Sequence, residues 1–323
     1  MNGTPSQPPT ADDGWSSVVG DLLERCTFPA PGSQVTCAVS GGADSLALLY
    51  LGVEAGLVVT AVHVDHGLRP GSDGEAEVVK AAAERFGAEF RSEAVEVAPG
   101  TNLEARARAA RWSVLPPDAA TGHTMDDQAE TVLLNMLRGA GLDGLAGMRR
   151  GPAHPLLGLR RAETRALCQK LGLDPVDDQS NLDRRFLRNR VRHELLPLCC
   201  DIAGRDVIPI LARQAAVLAG EADLLEALSA DVNPSDTRSL AGSPEPIARR
   251  AVRRWLRGSG PYPPDLAGVE RVLAVARGVA KATDVAPGLR VRRSRGRLEL
   301  STAGRPRSGS DSLLTDGEGV RLR

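Results

Sequence analysis

From Gln34 onward the chain switches repeatedly between two hydrophobic periods. "QVTCAVS" (34–40) is a β-rich run, and "DSLALLYLGVEAG" (44–56) then places apolar residues at helical spacing and stops at a glycine. "LVVTAVHVDHG" (57–67) reads as a strand and "SDGEAEVVKAAAERFG" (72–87) as a helix closed by glycine. "EFRSEAVEV" (89–97) is a third strand. "TNLEARARAARWSVL" (101–115) opens on a capping-box pattern and ends before Pro116-Pro117. "AATGH" (119–123) suits a short buried strand, and "TMDDQAETVLLNMLRGAG" (124–141) a helix ended by glycine. Strands alternating with helices over 34–141 predict an α/β domain whose parallel sheet carries helices on both faces. Neither the strand count nor the strand order follows from the pattern.

After Pro155 the pattern turns helical, with "RRAETRALCQKLG" (160–172), "DRRFLRNRVRHELLPL" (183–198) and a long run over 205–232. Five segments result. Residues 1–11, rich in Pro, Ser and Thr, read as a disordered tail, and 12–204 as the α/β domain, opening with a short amphipathic helix at 12–26. Residues 205–232 read as a linker helix, 233–301 as a smaller, mostly helical domain containing "IARRAVRRWLRG" (247–258), and 302–323 as a flexible tail.

Charge changes the picture in the second domain. The 323 residues carry a net charge of −1, yet Arg249–Arg297 holds thirteen Arg or Lys against three acids, which points to a polyanionic partner. Only Lys80, Lys170 and Lys281 are lysines, so the basic residues are almost all arginine. Aromatic residues make up 3%, too few for extensive base stacking, so an RNA partner would be recognised by charge, shape and a few base-edge contacts. No apolar run is long enough to span a bilayer, and "MNGTPSQPPTADDG" lacks a signal-peptide pattern, so the chain reads as cytoplasmic. None of the five cysteines forms a C-x-x-C pair, which argues for reduced thiols.

Three strand ends carry candidate chemistry: "SGGADS", "HVDHG" and "TGHTMDD". In an open parallel sheet, ligands bind at the carboxyl ends of the strands. Ser40, Gly41, Gly42, Ala43, Asp44 and Ser45 suit a phosphate cradle. Glycine lets backbone N–H groups approach an anion, and the next helix adds its free N–H groups and dipole. Asp44 would repel phosphate unless a divalent cation lies between them, which implies Mg²⁺ held by Asp44. The loop matches neither a Walker A nor a G-x-G-x-x-G pattern, and an ordinary strand-to-helix turn is its plain alternative. Asp126, Asp127 and Glu130 share a helix start, where acids favour the dipole, and Asp127/Glu130 and Asp126/Glu130 each share a face. Arg106, Arg108 and Arg111 lie on the helix at 101–115, which Trp112, Val114 and Leu115 mark as packed. Arg184, Arg185, Arg188, Arg190 and Arg192 surround Phe186 and Asn189. That density suits an RNA backbone or a plain basic face. His63, His66, Asp65, His123 and Asp126 could pass for metallo-phosphoesterase ligands, but that leaves "SGGADS" without a task.

Ser-Gly-Gly-x-Asp-Ser after a strand resembles the PP-loop of N-type ATP pyrophosphatases. "HVDHGLR" (63–69), "ARAARW" (107–112), "TGHTMDDQAET" (121–131), "HPLL" (154–157), "DDQSN" (177–181) and "RFLRNRVRHELLP" (185–197) together resemble the tRNA(Ile)-lysidine synthetase family over roughly 34–200. His154 stands where that family commonly has arginine. The resemblance implies a Rossmann-like PP-loop ATPase domain followed by a further helical domain, and a ligase that forms a carbon–nitrogen bond. Its cofactors would be ATP and Mg²⁺, and its partners L-lysine and tRNA(Ile) with a CAU anticodon. It implies ATP on residues 40–45, His63 and Val64. Asp44, Asp127, Glu130, Arg108 and Arg111 would be catalytic, with Asp127 and Glu130 on the lysine ε-amine. Arg185, Arg188, Asn189, Arg190 and Arg192, with Arg253 and Arg254 in the 233–301 domain, would meet tRNA. Two alternatives stay open: a PP-loop tRNA 2-thiolase and a non-catalytic ATP-binding protein. The oligomeric state, a homodimer among the options, is also open.

Overall fold

The structure is a computed structural model that describes residues 13–65, 72–96, 103–176, 183–259 and 264–302. "HGLR" (66–69), "DDQSN" (177–181), the tail at 1–11 and residues 303–323 lie outside the described residues. The chain divides into two compact units, Met1–Gly220 and Glu221–Arg323.

In the first unit, α1 (Asp13–Glu24) precedes four strands that alternate with helices. These are β1 (Gln34–Ala38), α2 (Ala43–Glu54), β2 (Val58–Asp65), α3 (Ser72–Phe86), β3 (Glu89–Ala94), α4 (Leu103–Val114), β4 (Ala120–Thr121) and α5 (Met125–Leu137). Pairing is parallel throughout, in the order β3-β2-β1-β4. The chain builds outward from β1 to β3, then returns so that β4 pairs with the other side of β1, with Ala38 opposite Thr121. The loops after β1 and β4 therefore flank a topological switch point, where such sheets form a ligand crevice.

Helix α2 is apolar on every side, and Leu46, Leu48, Leu49 and Leu51 are wholly buried. A helix of that kind belongs inside the core. It packs with β1 and β2 residues such as Cys37 and Ala61, and with Leu167 and Cys168 from a later helix.

The short α6 (Leu142–Leu145) and a 3₁₀ turn at Pro155–Gly158 lead to α7 (Arg161–Lys170). Next come α8 (Leu187–Arg190), a π-helical turn at Val191–Leu195, α9 (Leu196–Ala203) and α10 (Ile208–Ala230). The π turn is closed by the Leu196 N–H donating to the Val191 carbonyl. Pro197 has no N–H to give the turn before it and would crowd the His193 carbonyl in a regular helix, which accounts for the widening. The expected single helix over 183–198 is thus three consecutive segments. Helix α10 runs across the division between the two units.

The second unit contains α11 (Thr237–Gly242), α12 (Glu245–Trp255) and α13 (Leu266–Ala276), with an antiparallel sheet, β5 (Ala282–Ala286), β6 (Leu289–Ser294) and β7 (Arg297–Thr302). The sheet is an addition to the helices the sequence pattern suggested. Leu289, Val291 and Leu298 are buried while Arg290 and Arg292 face solvent, so an alternating strand pattern underlies the basic run. Ala248, Ala251 and Val252 of α12 join Val272 and Leu273 of α13 in the core of this unit.

Candidate active site

The loop after β1 is closed by its own serine. Ser45 Oγ donates to the Gly42 carbonyl at 2.8 Å and accepts from the Ser40 N–H at 3.1 Å. Gly41 lies at φ +83°, a conformation that disfavours a side chain, and Gly42 caps α2. A second glycine is needed opposite: a Cβ on Gly122 would lie 2.5 Å from the Asp44 carbonyl oxygen and 2.9 Å from the Ser45 nitrogen. Strand β4 thus ends hard against the first turn of α2. Ser40, Gly42, Asp44, Ser45, Arg111, His123, Asp127, Arg161, Arg165 and Arg192 line one cleft of about 250 Å³.

The three acids at the start of α5 divide their work. Asp126 accepts from the Arg161 N–H at 2.9 Å and from Arg160 Nε at 3.0 Å, so it fixes the start of α7. Asp127 uses its two oxygens differently. Oδ2 takes the Thr124 N–H and hydroxyl, both at 2.9 Å, and so caps the helix. Oδ1 accepts from Arg161 at 2.9 Å, Arg188 at 3.1 Å and Arg192 at 3.3 Å. Glu130 is wholly buried beneath the same arginines, at 3.0 Å from Arg161, 3.1 Å from Arg188 and 2.7 Å from Arg192. Asp44 completes the group, 3.5 Å from Arg161 Nε and hydrogen-bonded by the Thr164 hydroxyl.

Burial pushes the Asp44 carboxyl up to about 6 against the opposing Thr164 hydrogen bond. Burial also works against ionised Asp127, but Arg161 and Arg188 outweigh it and hold the group below the usual carboxylate range. Arg161 is held above its ordinary value by Asp127 and Glu130 despite burial. Burial, with Arg108 nearby, lowers Arg111. His63 donates from Nδ1 to the Val39 carbonyl at 3.1 Å, and its buried Nε2 has no partner among the described residues.

Residues 17–199 match the PP-loop domain, and residues 236–299 the TilS substrate binding domain. A tRNA(Ile)-lysidine synthase of Nocardia farcinica is 41% identical over 307 residues, 88% of this chain and 96% of that protein. The chain belongs to the tRNA(Ile)-lysidine synthase family. Another member, from Rhodococcus erythropolis, is 43% identical over 71% of this chain and 76% of its own. Among solved structures, the U34-tRNA thiolase NcsA of Methanococcus maripaludis shares the fold. It has a TM-score of 0.50 at 17% identity and covers 67% of this chain and 81% of that one.

Within this fold, only some of the expected site residues meet at the cleft. The loop 40–45, Asp127 and Arg111 meet at the cleft, and Glu130 lies behind it. Arg108, one turn before Arg111, is exposed, and His63 and Val64 end β2. Arg188 and Arg192 cover the buried carboxylates, whereas Arg185 pairs with Asp183 and Arg190 with Glu194 at the surface. Asn189 is buried and donates to the Asp183 carbonyl. In the second unit Arg254 donates to Ser229 and Glu226, and Arg250 also holds Glu226. Sequence reasoning missed Arg161, Thr164 and Arg165. Their helix read only as part of the helical pattern after Pro155, and its one clue was an Arg-Arg pair directly after the apolar "PLLGL". Among the described residues, no group of three or more His, Cys, Asp or Glu could hold a metal ion, and no helix is long and apolar enough to cross a membrane.

Proposed function

We propose that this chain ligates L-lysine to C2 of the wobble cytidine in the CAU anticodon of tRNA(Ile), converting ATP to AMP and pyrophosphate. The cytidine O2 attacks the α-phosphorus and pyrophosphate leaves. The lysine ε-nitrogen then attacks C2 and loses a proton, and AMP departs with the former O2. One observation carries this reading beyond family membership: a phosphate-type loop and a buried carboxylate–arginine cluster share one cleft, with Asp44 and Asp127 both on its wall.

The loop's backbone and the N-terminus of α2 receive the triphosphate. Arg108, Arg111 and Arg161 balance charge as it develops on phosphate. A magnesium ion bound with ATP would use Asp44 together with phosphate oxygens, a set that suits Mg²⁺, and would neutralise polyphosphate charge. Asp44 fits that task because its half-buried carboxylate belongs to the loop and lies on the cleft wall.

Asp127 and Glu130 hold the ε-amine. Free lysine has a pKa near about 10.4, so binding to carboxylates must orient it and help remove its proton. In the present arrangement Arg161, Arg188 and Arg192 occupy those carboxylates, so an incoming ammonium exchanges with guanidinium groups. Arg185 and Arg190, with Arg253 of the second unit, are the candidate tRNA contacts. The deciding experiment is mass analysis of the wobble nucleoside after incubation with ATP, lysine and unmodified tRNA(Ile). Bound ATP without cleavage, and no lysidine, would refute the proposal.

A further inference from the structure

Thr121, at the end of β4, makes three contacts through one hydroxyl oxygen. Oγ1 lies 2.7 Å from His123 Nδ1, 2.8 Å from His154 Nδ1 and 3.1 Å from the Ala153 carbonyl oxygen. The two rings meet edge to face, with centroids 5.2 Å apart. A hydroxyl donates one hydrogen bond and accepts two, and a carbonyl only accepts. One arrangement satisfies all three contacts: the hydroxyl donates to Ala153, and each Nδ1 carries a proton and donates to Oγ1.

From this geometry we propose that His154, acting through Thr121, locks His123 in the Nδ1–H tautomer and so leaves Nε2 as its hydrogen-bond acceptor in the cleft. Both rings sit in surroundings that keep them neutral. Burial pushes His123 down to about 4 despite the Asp127 carboxylate, and burial also lowers His154. A neutral ring has two tautomers that present opposite hydrogen-bonding characters, so a clamp on one nitrogen decides what the other offers. An Nε2 lone pair suits an N–H donor and not a phosphate oxygen. His123 thereby sides with the Asp127 carboxylate in receiving an amine, while Arg111, Arg161 and Arg165 suit phosphate. His154 is a positioning residue, and its place in catalysis rests on the function proposed above.

The test is a long-range ¹H–¹⁵N spectrum of the full chain labelled at its five histidines, with signals assigned by their loss in His123→Asn and His154→Asn. In the wild-type protein both rings are expected to show protonated Nδ1 and bare Nε2. In Thr121→Val and His154→Ala, His123 is expected to become a mixture of tautomers. His154→Asn, whose amide N–H stands in for Nδ1–H, is expected to keep His123 in the Nδ1–H form. Lysidine formation should fall about tenfold in His154→Ala and recover to within about twofold of wild type in His154→Asn, as for loss and rescue of an oriented group. An Nε2–H signature on either ring in the wild-type protein overturns the proposal. So does a His123 tautomer unchanged in both Thr121→Val and His154→Ala. The spectrum reads the clamp whether or not lysidine is formed, so failure of the clamp and failure of the proposed activity stay distinguishable.

Discussion

Replacing Asp127 with asparagine separates the two tasks of this side chain. Asn keeps a carbonyl oxygen that can accept from the Thr124 N–H and hydroxyl, so the helix cap survives. What is lost is the charge beneath Arg161, Arg188 and Arg192, and the amide N–H₂ now faces three donors. Each guanidinium contact, at 2.9–3.3 Å, is worth about 5 kcal/mol of gross Coulomb attraction at an effective dielectric of ~20. Desolvation offsets much of that sum, and removing one partner of a buried pair costs about 3–5 kcal/mol net. The arginine side chains are 17–31% exposed and keep Glu130, so the lower end applies, about 3 kcal/mol. Asp127→Ala also loses the cap, a further cost of about 1 kcal/mol.

Urea unfolding followed by fluorescence of Trp15 and Trp112, both in the first unit, reads the difference. At a slope of about 2 kcal/mol per molar urea, Asp127→Asn should lower the midpoint by about 1.5 M. The pH dependence has a definite sign. The folded-state pKa of Asp127 is depressed, so its stabilisation is complete above the unfolded value near about 3.9 and is lost as pH falls below it. The gap between wild type and Asp127→Asn should therefore be full at neutral pH and close below about pH 4. A gap under about 1 kcal/mol at pH 7, or one that widens on acidification, would show that the arginines do not depend on this charge. Near-normal lysidine formation by Asp127→Asn would refute its role at the ε-amine.

Gly122→Ala forces a Cβ against backbone atoms of α2. It should cost about 1–3 kcal/mol in thermal unfolding and abolish tRNA-dependent pyrophosphate release, whereas an unchanged melting temperature would contradict the close approach. Asp126→Ala leaves the Arg161 N–H without its acceptor and should destabilise by about 2 kcal/mol, measured by urea unfolding. It should also lower activity, although Asp126 meets no substrate in the proposed reaction. In the second unit, Arg254→Ala removes bonds to Ser229 and Glu226 and should cost about 1–3 kcal/mol of stability. Arg253→Ala should leave stability near wild type, weaken tRNA binding and reduce the log–log salt slope by about 0.7–0.9 in a titration series.

The strands and helices from β1 to α5 were legible because they show clean hydrophobic periods between glycine or proline stops. The strand order was not, since the pairing of Ala38 with Thr121 joins residues far apart in the chain. The β5–β7 sheet was hidden because "LRVRRSRGRLEL" reads as a basic run before it reads as alternation. At the site, Asp126, Asp127 and Glu130 were recognisable as a group, but their division of labour depends on Arg160 and Arg161, more than thirty residues on. Arg188 and Arg192 stood out as cations facing outward to RNA. Only the fold shows them turned onto the carboxylates, because nothing local reports which face of that segment is covered.

The π turn at Val191–Leu195 has a consequence for helix phase. Val191 and Leu196 are both buried in the same apolar cluster, five positions apart. A regular helix advances about 100° per residue and would set them about 140° apart, one inside and one toward solvent. With one residue more in the turn, the two fall close to the same side, while Arg188 and Arg192 still reach Glu130. Deleting a single residue here would restore a regular helix and force a choice between seating Leu196 and keeping Arg192 on the carboxylate. The length of this segment is thus as constrained as its composition.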